Sequence, residues 1–150
     1  CSCSFPKFKR YFENTCSLKK IKKYHSIVRQ YPVIDITATV KNSNKENNKN
    51  NNNKNTLLHT CAIQVKLFRH NKTGGDFIYA PNYPKKQKEG WYICICNSEK
   101  SKLYALKRIV GFKEKMKTVT INIRAEQQQD SYCLIFMSSC YIGFDQEVYF

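Results

Sequence analysis

Cys94-Ile95-Cys96 places two soft ligands at a spacing that chemistry can use. On a strand, residues i and i+2 share a face, so both thiols would point the same way. A structural zinc site, however, takes four ligands, usually from paired turns. The other close pair, Cys1-Ser2-Cys3, belongs to a different element, and His70 is the nearest histidine. The expectation is therefore two metal-free strand thiols. Cys61 and Cys133 stand where an immunoglobulin domain would bridge its sheets over a tryptophan. Trp91 comes late after Cys61 and starts a strand, so two buried free thiols fit better than a disulfide. Ser17-Leu18-Lys19-Lys20 matches S-x-x-K but lacks every motif that accompanies a lactamase nucleophile. No phosphate-binding glycine loop and no H-E-x-x-H occurs, and His25, His59 and His70 have no carboxylate at a telling spacing. The chain is thus read as having no catalytic, metal-binding or cofactor-binding residues, and as no enzyme in its own right.

What remains is surface for partners. Gly90-Trp91 and Gly143-Phe144-Asp145-Gln146 read as turns, where glycine permits a positive φ and aspartate bonds its own turn. Trp91 brings a large apolar surface to one end of the fold, and Trp91 and Gln146 are the candidate partner contacts. Lys19, Lys20, Lys22 and Lys23 line one helix face and are the candidate RNA contacts.

The elements that position these residues follow from periodicity. Phe5, Phe8, Tyr11 and Phe12 fall on one face of a short helix, with Pro6 in its first turn. Ser17 to Gln30 is the clearest helix: Leu18, Ile21, Tyr24, His25 and Val28 form a stripe, Ser17 is the N-cap, and Pro32 ends it. From Val33 the period changes to two. Val33 to Val40 and Leu57 to Arg69 alternate as half-buried strands. Shorter runs follow at Phe77–Tyr79, Trp91–Cys96, Lys102–Val110, Thr118–Arg124, Ser131–Ser139 and Asp145–Phe150. About seven main strands with closely spaced turns predict an antiparallel sandwich of immunoglobulin or fibronectin type III kind, after one or two short helices. Residues 1–32 form the helical segment and 33–150 the sandwich. Lys41 to Asn55 has no apolar residue and reads as a low-complexity loop inserted between two strands.

Length and composition agree with one domain. The 150 residues are 41% hydrophobic and 13% aromatic, enough for a core. Twenty-six Lys and Arg against 11 Asp and Glu give a formal charge of +15, which favours contact with nucleic acid, an anionic membrane or acidic protein without choosing among them; weak nonspecific contact with RNA is the expected nucleic-acid form. No apolar run is long enough to span a bilayer. The first residues lack the apolar core of a signal peptide, so the eight cysteines read as free thiols of an intracellular, reducing setting.

The landmarks in order carry a resemblance. Ala80-Pro81-x-x-Pro84, Glu89-Gly90-Trp91, Leu106-Lys107-Arg108, Phe136-Met137-Ser138 and Tyr141-x-Gly143-x-Asp145-Gln146 resemble the final domain of the large superfamily-two RNA helicases with a duplicated cassette. That domain belongs to the unit shared with the translocation protein Sec sixty-three: a helix-loop-helix element, then an immunoglobulin-like sandwich. The likeness runs from Ala80 onward, and Ser17 to Pro32 looks like the last helix before the sandwich. The closing Gly143-x-Asp145-Gln146-Glu147 leans to the spliceosomal member, while Ala105-Leu106-Lys107-Arg108 suits the activating signal cointegrator member as well. The chain departs from the pattern in the Lys41–Asn55 insertion and in Cys94 and Cys96, which stand where the family has ordinary strand residues. The resemblance implies that ATP hydrolysis belongs to other domains of the polypeptide. It implies that this sandwich packs on the helicase body and meets splicing-factor proteins, in the nucleus.

Overall fold

A computed structural model describes residues 5–47, 57–71, 77–112, 114–125 and 131–150 of the chain. Two helices, α1 (Phe5–Phe12) and α2 (Leu18–Val28), precede seven strands. The strands are β1 (Ile34–Asn47), β2 (Leu57–Arg69), β3 (Gly90–Asn97), β4 (Leu103–Val110), β5 (Met116–Ala125), β6 (Tyr132–Ser138) and β7 (Gln146–Tyr149). They form two antiparallel sheets, β1-β2-β5 and β4-β3-β6-β7. The fold is the expected immunoglobulin-like sandwich, with β4 paired to β3 and not added to the first sheet as in constant-type domains.

Period-two alternation builds the core. Ile63, Val65 and Leu67 of β2 and Trp91, Ile93 and Ile95 of β3 are all within 1% of full burial and face each other across the sheets. Val119, Ile121 and Ile123 of β5 and Leu134 and Phe136 of β6 complete the layer. Burying each such side chain stabilises the fold by roughly 1.5–3 kcal/mol. At the end of β3, Glu89 accepts hydrogen bonds from the Arg69 guanidinium and, at 2.6 Å, from the Trp91 indole N–H. Arg69 and Glu89 are 6% and 4% exposed, and the Arg69 guanidinium lies 5.1 Å from the centroid of the Phe112 ring. This buried pair ties β2 in one sheet to the entrance of β3 in the other.

β1 is longer than its apolar pattern predicts. Its backbone pairs with β2 as far as Asn47, so Lys41 to Asn47 is strand and not loop; the rest of the expected insertion lies outside the described residues. An edge strand needs no apolar side chain to extend, because its ladder bonds are made by the backbone. The expected strand at Phe77–Tyr79 is reduced to one bridge, Phe77 with Lys88. Ser17 occupies the N-cap position of α2 but makes no side-chain cap bond. The stripe of α2 is only partly used: Ile21 is buried, whereas Leu18, Tyr24 and Val28 are 49%, 42% and 48% exposed.

The helices join the sandwich through Tyr31 and the fully buried Pro32. The Tyr31 ring packs against Tyr79, Tyr141 and Phe144. Asn71 clamps the junction. Its Oδ1 accepts the Val33 N–H at 2.7 Å, and its Nδ2 donates to the carbonyls of Arg29 and Tyr31. Gly90 has no positive φ; a Cβ there would stand 2.5 Å from Ser139 Oγ and would displace that hydroxyl from the bond it donates to the Gly90 carbonyl at 3.0 Å. Gly143 does adopt the left-handed conformation, at φ 80°.

Candidate interaction surface

The two sheets differ on their outer faces. Alternation turns Thr37, Thr39, Gln64, Lys66, Thr118 and Thr120 of the β1-β2-β5 sheet away from the core. That is the ordinary polar face of an antiparallel sheet. On the β4-β3-β6-β7 sheet the same alternation turns outward Tyr92, Cys94 and Cys96 of β3 and Cys133, Ile135 and Met137 of β6. Leu103, Leu106 and Val110 of β4 flank them at 58%, 59% and 47% exposure, and Tyr149 of β7 closes the other side at 55%. One sheet therefore carries apolar side chains on both faces, and among the described residues no helix or second sheet packs over the outer one.

The thiols lie in the middle of this layer. Cys96 and Cys133 are direct cross-strand partners, and Cys94 is two residues along the same strand. All are buried by their neighbours, and the described cysteines are free. Cys133 points to the outer face while Cys61 packs in the core, its Sγ 3.7 Å from the Tyr132 hydroxyl, so no bridge joins the sheets. Among the described residues no group of three or more His, Cys, Asp or Glu could hold a metal ion.

Burial pushes the Cys94 thiol above its ordinary value of 9.0; Cys96 is raised the same way, with Cys133 and Cys94 adding to the effect. Burial also raises the Tyr141 hydroxyl above its ordinary 10.0. Lys100 is held above its usual range, first by its bond to Glu147, 2.5 Å away, and then by Tyr149. Each of these groups binds its proton more tightly folded than unfolded. The stability they contribute is complete below the ordinary values and is lost as pH rises through the folded ones. Denaturant midpoints measured under reducing conditions should therefore fall between about pH 8 and pH 10.5. An unchanged midpoint would contradict the assignment.

The residues singled out by sequence have separate fates. Trp91 is 1% exposed and stacks on Phe136, with ring centroids 4.7 Å apart and 7° between planes. Its ring belongs to the core and presents no surface. Gln146 donates from Nε2 to the Ile34 carbonyl at 2.6 Å, tying β7 to β1 across the sandwich. Lys19, Lys20, Lys22 and Lys23 stand exposed on α2, far in sequence from the outer sheet face. Asp145 accepts the Ser138 N–H at 3.1 Å, closing the turn into β7. His70 Nε2 lies 2.6 Å from Asp35 Oδ2, a pair too distant in sequence to be seen by spacing and one that stands in solvent.

Two short helices followed by an immunoglobulin-like sandwich define the class of domain by its architecture. The chain belongs to the Sec63 Brl domain family, whose model matches residues 5–150. It is 29% identical over 121 residues to the DExH-box ATP-dependent RNA helicase DExH13 of Arabidopsis thaliana, covering 81% of this chain and 5% of that protein. It is 29% identical over 116 residues to the activating signal cointegrator 1 complex subunit 3 of Bos taurus, covering 76% of this chain and 5% of that one. To the U5 small nuclear ribonucleoprotein 200 kDa helicase of Homo sapiens it is 33% identical over 88 residues, covering 59% and 4%. The chain thus spans only about a twentieth of the curated relatives it matches. Among the described residues no helix is long and apolar enough to cross a membrane.

Proposed function

We propose that this chain is a non-catalytic interaction and scaffolding domain at the C-terminus of an ATP-dependent RNA helicase of the splicing machinery, acting in the nucleus. It packs on the helicase body and binds splicing-factor proteins. The observation that carries this reading is the apolar outer face of the β4-β3-β6-β7 sheet, over which no described helix or second sheet packs, since contiguous apolar surface of this kind marks protein interaction sites. The half-exposed stripe of α2, Leu18, Tyr24 and Val28, supports packing on the helicase body. The relatives' names, DExH-box RNA helicases and a U5 small nuclear ribonucleoprotein helicase, support the setting.

A second reading, direct RNA binding, is favoured by the exposed Lys19, Lys20, Lys22 and Lys23 on a helix whose first turn has no acidic residue. The same domain in a cointegrator-type helicase is a third setting. One experiment separates them. The tagged chain, confirmed folded, is used to capture proteins from nuclear extract with and without ribonuclease. Splicing proteins retained after ribonuclease are expected. Their loss on ribonuclease, with recovery at low salt only, would move the reading to RNA, because phosphate contacts weaken steeply with salt. Recovery of cointegrator-complex proteins alone would move it to that helicase, and recovery of nothing would remove the scaffolding role.

A further inference from the structure

We propose that the open edge of β4 is a strand-addition site for an extended acidic segment of a partner protein. The proposal rests on the scaffolding reading and names the kind of partner and the way it is held.

The backbone phase of β4 fixes which groups are free. Gly111 N–H donates to the Glu89 carbonyl at 3.1 Å, just beyond the facing pair Gly90 and Val110. In an antiparallel ladder this makes Gly90–Val110 a non-hydrogen-bonded pair, and bonded pairs alternate from there. Ile109, Lys107 and Ala105 therefore spend their N–H and C=O groups on β3. Leu106, Arg108 and Val110 direct theirs to the open side, where, among the described residues, β4 is the last strand of its sheet. These same three residues carry the exposed side chains of the outer face. At each of them a partner strand would find a free peptide group and a side chain together. That is how strand addition divides its labour: backbone bonds supply affinity, and alternate side chains supply specificity.

Charge selects the occupant. From Leu103 to Val110 the strand holds Lys107 and Arg108, Lys102 precedes it, and it has no acidic residue. The Arg108 guanidinium lies 5.9 Å from the centroid of the Tyr92 ring, so its stem and one plane lie along the sheet face. A carboxylate on the neighbouring strand can take the fork in two parallel bonds. A second copy of this chain is a poor occupant. Pairing β4 with itself sets its cations together, and each copy brings a formal +15. Leu103, Leu106 and Val110 ask for apolar side chains between the acids, which an RNA strand lacks.

The test uses the isotope-labelled 150-residue chain and a blocked synthetic ten-residue peptide whose every second residue runs valine, glutamate, valine, so that these share one face, with threonines between them. Amide shifts are expected in Leu103–Val110 and across the outer face of β3, with none on β1 or β5. The amides of Leu106, Arg108 and Val110 should gain protection from hydrogen exchange. Arg108→Glu should weaken the peptide at least about tenfold, consistent with loss of a charge-assisted pair. Leu106→Pro should abolish binding while Leu106→Ala only weakens it. That edge N–H is not used by β3, and edge strands accept proline. Should Leu106→Pro fail to fold, Arg108→Glu and the peptide with lysine in place of glutamate decide alone.

No shift in β4 at about millimolar peptide would overturn the proposal, that being the weak limit for such contacts. So would affinity indifferent to Arg108→Glu, equal occupancy of this edge by a ten-nucleotide RNA, or a dimer in sedimentation whose interface is β4. The scaffolding reading is scored separately. Splicing proteins still captured by Arg108→Glu would sink this site and leave that reading intact. Peptide binding without any capture would do the reverse.

Discussion

Replacing Glu89 with alanine should cost about 3–5 kcal/mol of unfolding free energy, the usual penalty for removing one partner of a buried ion pair. The carboxylate takes bonds from the Arg69 guanidinium and from the Trp91 indole N–H, and both donors are almost wholly out of water. Alanine takes the carboxylate away from a guanidinium buried beside the Phe112 ring and takes the acceptor from Trp91. Glu89→Gln keeps an acceptor oxygen but removes the charge, and should fall between alanine and wild type. Replacing Arg69 and Glu89 together with well-packed apolar residues should be far milder than either single change, because no lone charge is then buried. For a domain of this length each kcal/mol moves the melting temperature by roughly 2–4 °C, so Glu89→Ala should melt at least about 6 °C lower. The single tryptophan reports the change directly, since it sits on the altered carboxylate. A loss below about 1 kcal/mol would mean that the pair is not acting as a buried charge pair.

That pair also marks a limit of what sequence reveals. Periodicity finds which residues of a strand face inward, and it placed β2 at Leu57–Arg69 with Cys61, Ile63, Val65 and Leu67 buried. It found β3, β4, β5, β6 and β7 as well, each to within a few residues. Pairing between strands leaves no such trace. Arg69 and Glu89 are 20 residues apart in different sheets, and a lone charged residue at a strand end reads as solvated. Asn71 is hidden for the same reason, because its three acceptor and donor partners lie around residue 31, not beside it.

The outer sheet face is a different case, because its signal was present. β3 reads Trp-Tyr-Ile-Cys-Ile-Cys and β6 reads Tyr-Cys-Leu-Ile-Phe-Met, runs with no polar alternate. Continuous apolar strands are the mark of a sheet covered on both sides. Weighed one at a time as ligands, Cys94 and Cys96 gave no metal site; weighed as the second face of an apolar strand, they point to the surface. The extension of β1 to Asn47 shows the opposite failure, since backbone pairing carried a strand into a run that is wholly polar in sequence.

Trp91→Ala should destabilise the fold by about 3–5 kcal/mol, the range for truncating a buried aromatic to a cavity. The ring is 1% exposed, and its stacking on Phe136 adds to the transfer and cavity losses. Trp91→Phe keeps much of the volume and the stack but gives up the bond to Glu89, and should lose less. The variant separates two meanings of the residue. If Trp91 acts only through the core, partner capture by Trp91→Ala should fall in proportion to the unfolded fraction, and affinity per folded molecule should match wild type. Lowering the temperature or adding an excluded osmolyte should then restore capture together with the fold. Leu106→Ala should show the reverse pattern: its side chain is 59% exposed, so stability stays within about 0.5 kcal/mol while affinity drops. A folded Trp91→Phe that binds partner protein tenfold more weakly would place the indole at the interface after all. The core would then have to open on binding, because its present geometry buries the ring between β3 and β6.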